Sequence, residues 1–466
     1  ILTCSSDFRY RLFVSIFSIV PTLILYYWQF PFANPLLLWS QIIFSIILVA
    51  FGLPIFILLA SLAIFFFLSE PTDWATNYDL ISTISDSAYR IVVSPTLAAI
   101  PIFTLAGYIL AESNISDRLI KFFKSTLGWL PGSTVLIVVI LCAFFTALTG
   151  GSGVTILALG AILYPILVHD GYSKRFSLGI ITTAGSLGLL FPPSLPAIIY
   201  SVTAGINPLE FFRQALIPAI FLMSIMFFYG LYMLPKNKKI EKFNFKNAYN
   251  SAKIAKWEIA IPVLIILSLF SGFATLVESA ALLVLYVLTV ELYIFKDVSF
   301  KDLPKIIIDC STLVGGVLII LGFAMGFTGY LVDAQIPLKI LNFVQNTISS
   351  KIIFLLALNI LLLIIGCLMD VFSAIIVVVP LIAPLAAYFG IDPFHLAIIF
   401  IANLELGYIT PPVGMNLYLS SYRFNKDMPT IYSATLPFFF IRLIGVLIIT
   451  YIPVSYTHLT LPTIGC

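Results

Sequence analysis

The feature that most restricts this 466-residue chain is the length of its stretches without a charged side chain: residues 131–168 and 176–201 contain no Asp, Glu, Lys or Arg. About 20 apolar residues cross a hydrocarbon core of roughly 30 Å as a helix. The runs do not alternate apolar and polar side chains as outer-membrane barrel strands do, so they read as helices. Hydrophobic residues make up 61% of the chain and charged residues 10%, a balance that excludes a water-soluble fold. The expected class is an all-α polytopic membrane protein.

Five scattered cysteines, Cys4, Cys142, Cys310, Cys367 and Cys466, form no metal-binding or redox pattern and read as small apolar packers. A net charge of +3, with the basic residues in short loops between apolar runs, points to membrane topology and away from nucleic acid.

The chain divides by composition. Residues 1–91 hold N-terminal transmembrane and scaffold segments and an acidic outside loop at 70–90, with 36–69 broken at Gly52-Leu53-Pro54. A first repeat spans 92–234, a basic linker 235–256, scaffold helices 257–304, and a second repeat 305–453. Because the sequence starts at Ile1, it is expected to be a fragment or a processed product; 454–466 reads as a non-native tail.

Two apolar runs have the wrong length for one helix or two. Segment 131–168 is interrupted at Thr149-Gly150-Gly151-Ser152-Gly153 and segment 351–388 at Gly366-Cys367-Leu368-Met369-Asp370. Each leaves arms of about 15 to 18 residues, near 25 Å at 1.5 Å per residue, too short to cross comfortably. Both read as re-entrant helical hairpins whose tips survive at membrane depth only where protein or a water-filled cavity satisfies the freed backbone groups.

The halves repeat. A shift of 219 positions brings Pro165 onto Pro384, Gly188 onto Gly407, Pro192-Pro193 onto Pro411-Pro412, and Gly151 onto Asp370. A shift of 222 superposes Gly107-Tyr108 on Gly329-Tyr330. Lys and Arg favour cytoplasmic loops, and the linker, with seven lysines against one glutamate, is therefore placed inside. Arg118, Lys121, Lys124, Lys174, Arg175, Lys296, Lys301, Lys305, Arg423 and Lys426 then fall inside too, and the hairpins enter from opposite sides. Inverted-topology repeats with two re-entrant hairpins and two broken transmembrane helices are the arrangement of secondary transporters, whose sites lie near the bilayer midplane.

The broken helices are expected at Gly185–Ser194 and Asn403–Pro412, where tandem prolines stop a helix and glycines turn carbonyls toward a cavity. Backbone carbonyls with Ser, Thr and Asn oxygens suit a hard cation, and sodium is the natural candidate coupling ion. The candidate cation-binding residues are Thr149, Ser152, Thr155, Gly185, Ser186, Asp370, Ser373, Asn403, Gly407 and Thr410. Gly151, Gly153, Pro192, Pro193, Pro411, Pro412 and Asn416 are candidates for holding an anionic substrate at half-helix N-termini. Asp370 is the one carboxylate at a hairpin tip and is read as coupling sodium, as capping its helix, or as both. Glu405 and Glu278 read equally as ligands or packed structural acids.

The stretches TGGSGVTILALGAILYP (149–165), GSLGLLFPPSLP (185–196), ESAA (278–281), and GCLMD, IDPFH and NLELGYITPPVGMN within 366–416 resemble the large membrane subunit, DctM-like, of the tripartite ATP-independent periplasmic (TRAP) transporters, over about residues 40–452. The resemblance implies an elevator-type, sodium-coupled importer of organic acids such as C4-dicarboxylates in the bacterial inner membrane. It also implies two partners, a soluble periplasmic binding protein and a small four-helix membrane subunit. Where many members carry an Asp in the first hairpin, this chain has Thr155. Two other readings compete: a binding-protein-independent sodium/dicarboxylate symporter or ion antiporter of the same hairpin class, and an intramembrane serine protease suggested by the GxSG pattern at Gly150–Gly153. The protease requires a histidine beside Ser152.

Overall fold

The computed structural model describes residues 55–69, 82, 84–86, 89, 93–235, 243–348 and 350–452. The break at 52–54, most of the acidic loop and the 454–466 tail lie outside them. Every regular element among the described residues is helical. Among the described residues seven helices are long and apolar enough to cross a membrane, and two further bent pairs pass the same test together.

Two compact units are present, one of residues 1–94 and 315–340, the other of 95–314 and 341–466. In the smaller unit α1 (Ile55–Ser69) presents Ala63 and Phe67, which with Ile84 form a buried cluster against Phe323, Phe327 and Tyr330. A Cβ on Gly326 would stand 2.6 Å from the Ile84 side chain, so that contact is closed by the absence of a side chain.

The larger unit begins with α2 (Pro95–Glu112) and α3 (Ile115–Leu127), which leaves α2 at 76°. The first repeat continues with α4 (Ser133–Thr149), α5 (Ser152–His169), α6 (Lys174–Ala184), a 3-10 turn (Leu187–Leu190), α7 (Leu195–Ala204) and α8 (Pro208–Tyr232). After α9 (Phe245–Ile254), α10 (Lys256–Phe270) and α11 (Leu276–Thr289), the second repeat runs through α12 (Leu303–Asp333) and α13 (Ile336–Thr347), whose residues 315–340 belong to the smaller unit, and then α14 (Lys351–Leu368), α15 (Val371–Tyr388), α16 (Pro393–Gly407), α17 (Met415–Phe424) and α18 (Met428–Tyr451). At the 219-residue offset, α14 to α18 each start within one residue of α4 to α8.

The packing is reciprocal: α7 lies on α15, and α17 lies on α5. A pair of contacts in which each repeat's second hairpin arm meets the other's broken helix is what a two-fold relation generates. The hairpins open toward opposite ends of the unit. Gly132 and Gly171, at the mouth of the first, lie against Leu231 and Pro235. At the mouth of the second, Lys351 Nζ donates to the Gly390 carbonyl at 2.9 Å and the Tyr451 hydroxyl donates to the Ile352 carbonyl at 3.2 Å. α18 runs antiparallel to α8, with Phe438 against Tyr229 and Gly445 against Leu222, so the two mouths face opposite ends and the repeats are inverted.

Both hairpins stop part of the way across. A Cβ on Gly150, at the first tip, would meet Leu195 at 2.6 Å, which places the tip level with the start of α7. The ten residues of α7, about 15 Å at 1.5 Å per residue, lie beyond that level. The second tip meets Gly407 and Tyr408 in the same way, and the ten residues of α17 lie beyond.

One expectation is corrected. The basic residues Arg118, Lys121 and Lys124 and those of 245–254 stand on helices, α3 and α9, and not in loops. These helices are short and half polar, so a search for membrane-length apolar runs passes over them; each folds by packing one face, with Ile115, Leu119 and Ile120 buried on α3 and Ala248 on α9. α3 is tied down by Arg118, whose guanidinium pairs with Glu258 at the start of α10, lies 3.4 Å from Glu291 after α11, and pairs with Asp297. It also stacks 3.8 Å from the Phe295 ring centre. Burial works against the Asp297 charge, but Arg118 and the Asn114 backbone N–H outweigh it and hold that carboxyl below the usual range.

Candidate functional site

The first tip is made by sequence: Gly150 adopts φ 69, a left-handed conformation that ends α4 without steric cost, and Gly151 is extended before α5 starts. Thr149 turns its hydroxyl back to the Phe145 carbonyl at 2.8 Å. Ser152 is buried in the first turn of α5, and a Cβ on Gly153 would meet Leu419 of α17 at 2.7 Å. Deeper in the hairpin, the Thr146 hydroxyl donates to the Gly185 carbonyl at 2.7 Å and shares a second 2.7 Å hydrogen bond with Thr155. All three positions are buried. Three oxygens from the two arms and the broken helix thus converge, and Thr146 is a member that the sequence did not single out.

The broken helices supply the opposite wall. After Gly185, Ser186 donates to the Thr183 carbonyl at 3.3 Å and accepts from Arg442 at 3.3 Å. The Arg442 guanidinium, fully buried on α18, forms an ion pair with Glu405 of α16, also fully buried. Arg442 therefore joins the break of one repeat to the broken helix of the other, and Glu405 is committed to that pair. The sequence signal was available: an arginine within an apolar run has to have a partner. Glu278, in turn, closes a capping box with Thr275.

A second bridge between repeats runs through Asn416, whose amide donates to the Thr182 carbonyl at 3.1 Å, while the Thr182 and Ser420 hydroxyls are 2.8 Å apart. The oxygens Asn416 Oδ1, Thr183 Oγ1 and Ser194 Oγ are buried without a hydrogen-bond partner. Buried acceptors left open in this way cost free energy unless another group meets them.

At the second tip, Asp370 is the N-cap of α15. Its carboxylate accepts from the Phe372 and Ser373 backbone N–H groups at 3.0 and 3.1 Å and from the Ser373 hydroxyl at 2.6 Å. A carboxylate offers about four acceptor positions, so one remains open. Val371 N–H donates to the Tyr408 hydroxyl at 2.6 Å and Gly414 N–H to the Cys367 carbonyl at 3.1 Å, which satisfies tip backbone within protein. The tip packs closely because Gly366 and Gly407 face each other; a Cβ on Gly407 would stand 2.6 Å from the Gly366 backbone.

The hydrogen bonds that Asn403 and Thr410 donate go to groups other than Asp370. Asn403 donates to Asn359 and to the Ile399 carbonyl, at 2.6 and 2.8 Å, and Thr410 donates back to the Leu406 carbonyl at 2.9 Å. The proline pairs differ between repeats: Pro193 is buried and Pro192 half-buried, whereas Pro411 and Pro412 are exposed, and both pairs have a cis peptide bond. Neither described histidine, His169 or His395, hydrogen-bonds Ser152, and His395 Nε2 lies 3.1 Å from the Ile449 carbonyl. A serine without a base has no means of losing its proton to become a nucleophile. Among the described residues, no three His, Cys, Asp or Glu side chains come together as a metal cluster.

The sequence model of the family described as "Tripartite ATP-independent periplasmic transporter, DctM component" matches residues 42–455. The C4-dicarboxylate TRAP transporter large permease protein DctM of Pseudomonas aeruginosa is 33% identical over 361 residues, covering 77% of this chain and 84% of that protein. The isethionate TRAP transporter permease protein DctMQ of Oleidesulfovibrio alaskensis is 30% identical, covering 80% of this chain and 59% of that protein. The ectoine TRAP transporter large permease protein TeaC of Halomonas elongata is 26% identical, covering 77% and 84%. Among solved structures, the Alcanivorax borkumensis YdaH transporter superposes with a TM-score of 0.58 at 13% identity, over 81% of this chain and 89% of that one, a likeness of fold.

Proposed function

This chain belongs to the DctM component family of the TRAP transporters, and on that premise we propose that, as the large permease subunit, it imports a small organic acid by sodium symport across the bacterial inner membrane. A periplasmic binding protein delivers the acid, and a small four-helix membrane subunit completes the complex. The observation that supports this reading is that each hairpin tip packs against a helix break, with side-chain oxygens at each tip.

The residues fit sodium. Below the first tip the Thr155 hydroxyl and the Gly185 carbonyl each lie 2.7 Å from the Thr146 hydroxyl, and all three are hard, neutral oxygens. At the second, Asp370 brings a negative charge with an acceptor position to spare, and Ser373 a hydroxyl. A bound cation there offsets the cost of holding a carboxylate at membrane depth. Thr149, Ser152 and Ser186 complete the first group through their neighbouring oxygens. Gly407 serves the second by letting α14 approach α16. Asn403 and Thr410 act there as supports. For the acid, the start of α5 at Gly151 and Gly153 offers N–H groups, Pro192-Pro193 and Pro411-Pro412 shape the two breaks without donating because proline has no N–H, and Asn416 with its open oxygen stands between the repeats. Because related permeases are named for a dicarboxylate, for isethionate and for ectoine, substrate choice is assigned to the binding protein.

The test is uptake into proteoliposomes containing this chain, the small subunit and the binding protein. Uptake is expected to need all three together with an inward sodium gradient. Transport that persists without binding protein would support the independent symporter, and transport indifferent to sodium would end the coupling assignment. The orientation has its own check. A cysteine at Lys246 is expected to react only from the cytoplasmic side and one at Phe273, 91% exposed at the other end, only from outside; the reverse pattern overturns the topology.

A further inference from the structure

α3 and α9 pack side by side at the end of the larger unit that holds the linker, and between them lies an open groove of about 480 Å³ lined in part by Lys121, Lys124, Trp129, Asn244, Asn247 and Ser251. The geometry points to this groove as a binding site for the headgroup of an anionic phospholipid. Embedding in a membrane is the one premise it needs, so it stands apart from substrate and coupling ion.

The charge comes from α3. Lys121 and Lys124 stand one turn apart on a face that turns toward α9, and neither pairs with a described acid. Lys124 is in the last turn of its helix, where it also offsets the negative end of the helix dipole, so Lys121 carries the larger share of the field in the groove. Arg118, on the same helix, is consumed by Glu258, Glu291 and Asp297 and contributes nothing here. From α9, Asn247 and Ser251 are one turn apart and bring amide and hydroxyl donors to the same space, a set that matches a phosphodiester and the hydroxyls of a glycerol headgroup.

The surroundings select a lipid over a free phosphate. Phe243 and Trp129 line the groove and are 53% and 48% exposed. Aromatic rings beside lysines on an amphipathic helix are the pattern of a segment lying at the membrane–water boundary. A free phosphate would meet the lysines and leave that apolar surface in water; a phospholipid meets the lysines with its headgroup and the rings with its chains. The linker, with seven lysines against one glutamate, adds an attraction for an anionic leaflet.

The experiment is titration of fluorescent phosphatidylglycerol, and separately phosphatidylcholine, into the purified full chain in a zwitterionic detergent. Phosphatidylglycerol is expected to bind at least about tenfold more tightly. The pair Lys121→Gln and Lys124→Gln is expected to weaken it at least about tenfold, whereas Lys121→Arg with Lys124→Arg restores it. Lys246→Gln with Lys253→Gln removes the same charge from exposed positions outside the groove and is expected to change affinity less than about twofold. Equal affinity for the two lipids, or an equal loss from both glutamine pairs, overturns the site. Displacement by glycerol phosphate at the lipid's own concentration would make it a phosphate site and overturn the lipid assignment.

Discussion

Arg442→Leu is expected to lower the stability of the purified chain by about 3–5 kcal/mol, the usual result of leaving one member of a buried ion pair uncompensated. Both side chains of the pair are fully buried, and one Glu405 oxygen already lacks a hydrogen bond. Without Arg442 the Glu405 carboxylate has to take up a proton or admit water, and Ser186 loses its donor. The double variant Glu405→Gln with Arg442→Met removes both charges at similar volume and is expected to recover most of the loss. Thermal unfolding in detergent, read for both single variants and the double, gives the coupling between the two sites. A double variant no more stable than Arg442→Leu would mean that Arg442 acts through something other than its charge.

Asp370→Asn is expected to raise the sodium concentration for half-maximal uptake at least about tenfold, equivalent to roughly 1.4 kcal/mol. The substitution keeps the size and an oxygen for the α15 N-cap, so stability is expected to fall by no more than about 1 kcal/mol. Three hydrogen bonds hold the side chain as the N-cap and leave one acceptor position of the carboxylate for the proposed cation. Initial uptake rate against sodium, in proteoliposomes with the binding protein and the small subunit, separates the roles. An unshifted sodium curve would leave Asp370 as a cap alone.

What is legible in a membrane sequence is whatever the bilayer itself enforces. Runs without charge, the glycines at 150 and 151, the proline pairs and the 219-residue repeat all follow from the need to satisfy backbone groups out of reach of water, and the helix ends in the structure fall where those signals stand. The second hairpin, expected at 351–388, has those bounds in the structure. Helices α3 and α9 were hidden because their stabilising contacts are with other elements and their composition is half polar.

Side-chain partners belong to the other category. Nothing in sequence separates Glu405, which is paired with Arg442, from Asp370, which caps α15, because the difference lies in a helix 37 positions away that happens to face one and not the other. Thr146 reads as one more threonine in an apolar helix until Gly185 and Thr155 are brought to 2.7 Å from it. That the Asn403 amide nitrogen donates to Asn359, 44 positions away, is likewise invisible in sequence. The sequence by itself determined the membrane class, the broken elements and their repetition, since those answer to solvent and local backbone. Only the tertiary structure decided which polar groups are already satisfied and which are left open, since hydrogen bonds and ion pairs form across a span of chain that no local pattern encodes.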